Sequence, residues 1–257
     1  MIKFILKPLI FLICTTQVMA ETQNQKLKMT PETSPSLKSS DILRKTVSYT
    51  SIAKNQKKQV QYKEKHTAEF DGVKPLTAKT EYSDNNDKII GVMESNFTKN
   101  ITTPEYEFKD VRTGESHGIT LDENNYILWR KTKDGAKEEK KFNRKDMDKD
   151  ALVVGCQGLH YYLIGNLETI QKQKTMPIKY FMPGRLDYYR FNLKVEKEDE
   201  EFIYLKLSIN NFVLKMFTDS LNMKYSKLSK NLVYYSGLSN ITDDKGELQN
   251  VYIEYTY

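Results

Sequence analysis

From Ile42 to the C-terminus, apolar side chains recur at every second position in short runs. In Phe202–Ile209, residues Ile203, Leu205, Leu207 and Ile209 fall on one face, and Phe202, Tyr204, Lys206 and Ser208 on the other. Tyr189, Phe191, Leu193 and Val195 share a face in the same way, as do Val251, Ile253, Tyr255 and Tyr257. A period of two matches the pleat of a strand and excludes a helical bundle, whose apolar stripe advances by threes and fours. Turn chemistry separates the runs at Asp71-Gly72, Ser83 to Asp87, Asp122 to Asn125, Asp134-Gly135, Pro183-Gly184, Glu196 to Glu201 and Asp243 to Gly246. The pattern predicts about a dozen strands joined as consecutive antiparallel hairpins.

One stretch breaks this rhythm. Between Asp150 and Gln173 the positions Leu152, Cys156, Leu159, Leu163, Leu167 and Ile170 form one helical face. The spacing predicts an amphipathic helix capped by Asp148 or Asp150 and finished before Pro177. Gly155, Gly158 and Gly165 weaken that helix and let its backbone approach a sheet closely. A long twisted sheet with one such helix either curls around it or closes on itself. The expected fold is therefore mainly β: a curved, partly open antiparallel meander or half-barrel, with the helix on its concave face. No fixed repeat supports a propeller or solenoid.

The N-terminus reads as an address. Lys3 and Lys7, the apolar run Leu9 to Cys14, and Val18-Met19-Ala20 make a cleavable export signal, with cleavage after Ala20. The run is too short to span a bilayer, so no transmembrane helix is expected in the mature chain. Ile13 before Cys14 does not fit a lipoprotein signal. Residues 21–40 hold Pro31 and Pro35 and almost no large apolar side chains, the composition of a flexible linker. Residues 41–257 are expected to form a single β-rich domain in the periplasm. Cys156 is the only cysteine beyond the leader, which argues against a disulfide scaffold. The sequons at Asn96, Asn100 and Asn240 read as incidental in an Asn-rich chain.

The formal charge is +6, from 40 Lys and Arg against 34 Asp and Glu, and it falls by two once Lys3 and Lys7 leave. The signs are interspersed, so Lys54–Lys65 and Lys131–Lys149 read as solvated faces and no nucleic-acid partner is expected.

Catalytic signatures are sparse. Cys156 and His160 stand four residues apart on the expected helix, a spacing that places a thiol and an imidazole on one face. Cys156 nevertheless belongs to the apolar stripe, and no third residue completes a nucleophilic set. His66, His117 and His160 are scattered without metal-ligand spacing, so neither a metal nor another cofactor is expected. The acidic loop Asn240 to Glu247 fails the calcium pattern, because Ile241 stands where the first oxygen ligand is required. No catalytic constellation is recognised, and the chain is read as a non-enzyme.

Aromatic residues cluster at Tyr161-Tyr162, Tyr188-Tyr189, Tyr234-Tyr235 and Tyr252 to Tyr257. On strands each adjacent pair sends one ring inward and one outward. The terminal aromatic strand also suits an outer-membrane barrel. Against that, the face carrying Val60, Tyr62, Ala68 and Phe70 also carries Glu64 and His66, and lysines occupy both faces elsewhere.

The segments PGRLDYYRFNL (Pro183 to Leu193), YYSGLSNITDDKGELQNVYIEY (Tyr234 to Tyr255) and FKDVRTGESHG (Phe108 to Gly118) resemble a group of exported proteobacterial proteins of unknown function. The resemblance runs from about Val47 to the end and implies a class, with no reaction attached. A looser shape analogy is the periplasmic lipoprotein-carrier half-barrel with its helical plug. From the resembling segments, Arg112, Arg185, Asp187, Tyr189 and Asn240 are expected to form the polar rim of a binding concavity. The first functional expectation is a periplasmic protein that holds a lipid or other apolar, acyl-bearing ligand between sheet and helix. The alternative is an envelope module that docks a protein partner through a sheet edge or the linker, without a small ligand.

Overall fold

The computed structural model describes residues 44–209, 220–243 and 245–257. The expected leader and linker lie outside the described residues. Among the described residues fifteen strands form one sheet, somewhat more than the dozen expected. The first arm comprises β1 (Arg44–Lys54), β2 (Val60–Asp71), β3 (Lys74–Ser83), β4 (Ile89–Asn96), β5 (Glu105–Asp110), β6 (Ser116–Leu121), β7 (Asn125–Lys131) and β8 (Lys137–Asn143). The second arm comprises β9 (Leu152–Gly155), β10 (Thr175–Met182), β11 (Asp187–Glu198), β12 (Phe202–Ile209), β13 (Leu221–Ser226), β14 (Leu232–Thr242) and β15 (Leu248–Thr256).

The two arms meet at the centre. β1 pairs antiparallel with β15, with Ser51 opposite Tyr255 and Ala53 opposite Ile253. From this seam β2 to β8 step outward on one side and β14 to β9 on the other, each beside its chain neighbour. The edges are therefore β8 and β9, and they are consecutive in sequence. Only residues 144–151, including the single turn α1 (Arg144–Met147), join them, so the sheet has to curl until its edges approach.

Side chains hold that approach without a ladder. Lys179 on β10, 2 % exposed, donates to the Met147 carbonyl oxygen at 2.6 Å and pairs with Asp150. The Tyr126 hydroxyl on β7 donates to Asp148 at 2.9 Å. Phe181 on β10 packs against Tyr126 and Phe142, with ring centroids 5.2 and 5.4 Å away. The result is a curved, partly open sheet, as the alternation implied.

Two expectations need correction. The helical stripe does not begin at Leu152: residues Leu152–Gly155 form β9, and α2 runs from Gln157 to Gln173 without a side-chain cap from Asp148 or Asp150. Four apolar residues followed by a helix start mimic one longer helical face, because a stripe of period 3.6 and a short buried strand coincide over so few positions. Nor is the meander wholly antiparallel. β9 pairs parallel with β10, and α2 is the crossover between them.

The helix lies on the concave face. Leu159, Leu163, Leu167 and Ile170 enter an aliphatic core with Ile178, Leu193, Ile203, Leu205 and Leu207. Tyr161 packs on the first arm, against Ala68, Ala78 and Phe97. At Gly158 a Cβ would collide with the carbonyl oxygen of Thr102, so only glycine lets the helix start this close to the β4–β5 loop. The helix is broken inside: Asn166 has φ −132° and ψ 16°, and its side-chain amide donates to the Tyr162 carbonyl oxygen at 2.9 Å. Among the described residues no helix is long and apolar enough to cross a membrane.

Candidate functional site

The inward face of the first arm carries polar groups that the sheet cannot show to water. On β2 every second residue from Tyr62 to Ala68 is buried, and this brings Glu64 and His66 inside at 7 % and 9 % exposure. Ser51 on β1 and Thr80 on β3 are buried beside them. Register explains the grouping: Ser51 stands opposite Glu64, and His66 opposite Thr80.

These groups form one connected chain. The Ser51 hydroxyl donates to Glu64 Oε2 at 2.5 Å, and His66 Nε2 lies 3.0 Å from the same oxygen. His66 Nδ1 is 2.9 Å from Thr80 Oγ1, which also accepts from Gln157 Nε2 at 2.9 Å. Gln157 is the first residue of α2, so the chain ties helix to sheet. If the threonine hydroxyl gives its own proton to Nδ1, the imidazole donates from Nε2 and the carboxylate accepts twice, so both hydroxyls and both ring nitrogens have a partner. A nucleophilic triad requires the hydroxyl to face the imidazole. Here Glu64 stands between Ser51 and His66, so the order is wrong for acyl transfer.

Glu64 is ringed by tyrosines. Burial, reinforced by the Glu64 charge, holds the Tyr62, Tyr82 and Tyr255 hydroxyls well above their usual range, and Tyr235 is raised for the same reasons. These rings remain protonated donors at any physiological pH. Tyr62 shares a 2.7 Å hydrogen bond with Ser239, and Tyr235 donates to the Leu238 carbonyl oxygen at 2.5 Å.

Next to the polar chain a pocket of about 110 Å³ opens between the arms. Tyr49 separates the two: its ring stacks on His66 at 4.4 Å on one side and on Tyr257 at 4.6 Å on the other. Phe70, Tyr161 and Ile164 supply the other apolar walls, and Lys230 and Asn231 the polar lip. Tyr161 is fixed by edge contacts to Phe97 and Phe70 at 4.7 and 5.9 Å. His160 also lines this pocket. Burial pushes its imidazole down to about 4, so it is neutral, and Nδ1 is 3.0 Å from the Tyr225 hydroxyl.

Cys156 and His160 do not work as a pair. Cys156 precedes the helix with φ 41°, which removes it from the helical face on which a spacing of four would align them. Its sulfur lies 2.9 Å from Met93 Sδ, and burial pushes the thiol up to about 12. Among the described residues no cluster of three His, Cys, Asp or Glu side chains is placed to hold a metal. The loop after Asn240 is a hairpin turn, with Asp243 Oδ1 accepting from the Lys245 and Glu247 amides.

The five rim residues occupy separate places. Arg112 bonds Asp110 and reaches the Thr242 carbonyl oxygen at 3.0 Å, clamping the β5–β6 turn to the end of β14. Asn240 is exposed on that same strand end, two residues from Thr242. Arg185 is exposed on a 3₁₀ turn, Pro183–Arg185. Asp187 pairs with Lys140 at 3.2 Å across the gap between the arms. Tyr189 packs on the aliphatic core. Arg112 thus reaches the strand end on which Asn240 stands, Arg185 and Asp187 share another corner, and none of the five lines the pocket beside Tyr49. The polar chain went unselected in the sequence, although the alternation through Tyr62, Glu64, His66 and Ala68 was its signal. Searches against protein-family models, curated proteins and solved structures find no match to the chain.

Proposed function

We propose that this chain is an exported, periplasmic binding protein that takes the end of an apolar or acyl-bearing ligand into the interior beside α2. The supporting observation is the aromatic pocket on the first half of a broken helix. Tyr49, Phe70, Tyr161, Ile164 and Tyr257 give it apolar walls, and Lys230 at its lip suits an anionic head. At about 110 Å³ it is smaller than the range of about 300–1,000 Å³ that holds a whole small molecule. A longer chain therefore needs the segment Gln157–Gly165 to shift about the break at Asn166, a place where the helical ladder is already interrupted. The polar chain from Ser51 to Gln157 fixes the start of that segment, and Tyr49 covers it.

Native purification followed by lipid extraction and mass spectrometry, together with titration of a fluorescent fatty acid, tests this reading. One apolar ligand per chain is expected, with binding weakened at least about tenfold when Ile164→Trp fills the pocket, the loss of roughly one well-placed apolar contact. A protein that carries no lipid and ignores the probe is not a lipid-binding protein.

A further inference from the structure

The outer face of the first arm, opposite the polar chain, is not flat. Between β2 and β7 it holds a groove of about 760 Å³. Thr67, Lys79, Glu94, Glu107, Gly118 and Trp129 are successive cross-strand partners and cross this groove in one row. Gly118 makes the row possible. A Cβ there would stand 2.8 Å from the Trp129 ring and collide with the Tyr106 carbonyl oxygen, so glycine lets the indole lie down over the sheet.

The charge of the groove opposes that of the chain. Glu69, Glu81, Glu94, Glu105 and Glu107 line it against Lys65 and Lys79, although the whole sequence carries +6. Part of this is compensated: Lys79 lies 3.1 Å from Glu81 and 3.8 Å from Glu94, and Lys99 lies 2.9 Å from Glu105. Glu107 has no ion pair among the described residues, and register puts it directly opposite Glu94. Like charges facing each other across two strands destabilise a sheet.

We propose that this groove docks a lysine- or arginine-rich polypeptide segment of another protein. Every strand of the floor is paired on both sides, so the backbone offers no free edge and recognition falls to the side chains. What the side chains offer is negative charge beside an aromatic face. That face already takes an ammonium, since Lys137 Nζ lies 5.6 Å above the Trp129 ring. A neutral glycan would leave the facing carboxylates uncompensated, whereas a basic segment neutralises them. The surface is separate from the interior pocket, and the proposal does not depend on it.

Trp129 is the only tryptophan of the chain, so its emission reports on this groove alone. Titrating the full chain with a synthetic oligolysine should change that emission saturably, and added salt should weaken the response. Glu94→Gln with Glu107→Gln should weaken binding about fivefold, in line with two surface charge contacts. The same variant should melt no lower than the parent, because it removes a like-charge pair. Thr120→Lys, which puts a cation into the groove, should also weaken binding. Silence toward oligolysine, a response to neutral oligosaccharide in its place, or full affinity in both variants would each overturn the proposal.

Discussion

On the inward face of β2, Tyr62, Glu64, His66 and Ala68 are buried in succession; on the inward face of β12 the series is Ile203, Leu205, Leu207 and Ile209. Both strands obey the same alternation and pack on the same helix. The second arm buries hydrocarbon, and each fully buried Leu or Ile contributes about 1.5–3 kcal/mol by leaving water. The first arm spends equivalent positions on a carboxylate, an imidazole and two hydroxyls, which gain little net stability even when fully hydrogen-bonded. The second arm therefore behaves as scaffold. The polar set of the first arm is not accounted for by stability alone, and it lies beside the pocket.

The sharpest way to break this comparison is to alter matched positions. Leu205→Ala should lose about 2–5 kcal/mol, the range for a truncated core leucine. Glu64→Ala should lose about 3–5 kcal/mol, because Ser51 and His66 are left buried with unanswered groups. Replacing the pair together, Glu64→Leu with His66→Leu, should recover most of that loss or exceed the parent stability. Urea denaturation with linear extrapolation reads all three. If the double variant is as unstable as Glu64→Ala, the polar chain is structural and the contrast between the arms disappears.

How much of this was legible follows from the same residues. Period two revealed the strands of both arms, since a one-residue slip would turn every side chain over. The helix was visible in Leu159, Leu163, Leu167 and Ile170. Its start was not, because Leu152 to Gly155 pack as a short strand and Cys156 turns the chain with a positive φ that no sequence pattern announces. The joining of edges β8 and β9 was also hidden. It depends on Lys179, a buried lysine held by Met147 and Asp150, which reads in the sequence as one more surface charge. Glu64 and His66 were visible on an apolar face. Only the pairing with Ser51 and Thr80 across β1 and β3 shows that they are satisfied there.

A smaller effect concerns protons at the boundary between the arms. His160 faces Tyr161 and Tyr225, with His66 contributing repulsion, and His117 lies against Phe108 and Tyr106. Burial lowers both imidazoles from 6.5 to about 4. The unfolded chain then binds more protons than the folded one between those values. The stability these groups contribute is complete above pH 6.5 and is lost as pH falls toward 4. Thermal melting from pH 7 to 4 should show a steady fall, and His160→Gln should flatten it. An unchanged slope would mean that His160 reaches solvent and is not a wall between the arms.

The smallest expected effect is an absence of reaction at Cys156. The thiolate is the reactive species, and burial holds this thiol at about 12. Its sulfur packs against Met93 of the first arm, while the following helix runs to the second, so the residue sits where the arms are joined. Iodoacetamide at pH 8 should therefore leave the native protein unmodified over a period in which the urea-unfolded chain alkylates fully, as mass spectrometry would show. Partial labelling of the native state would have a specific meaning, because Sγ has to part from Met93 on β4 before it can react. Under the proposed binding role, the labelling rate measures the opening that entry of an apolar ligand would demand. An apolar ligand that occupies the pocket should change that rate, whereas oligolysine on the outer face should not.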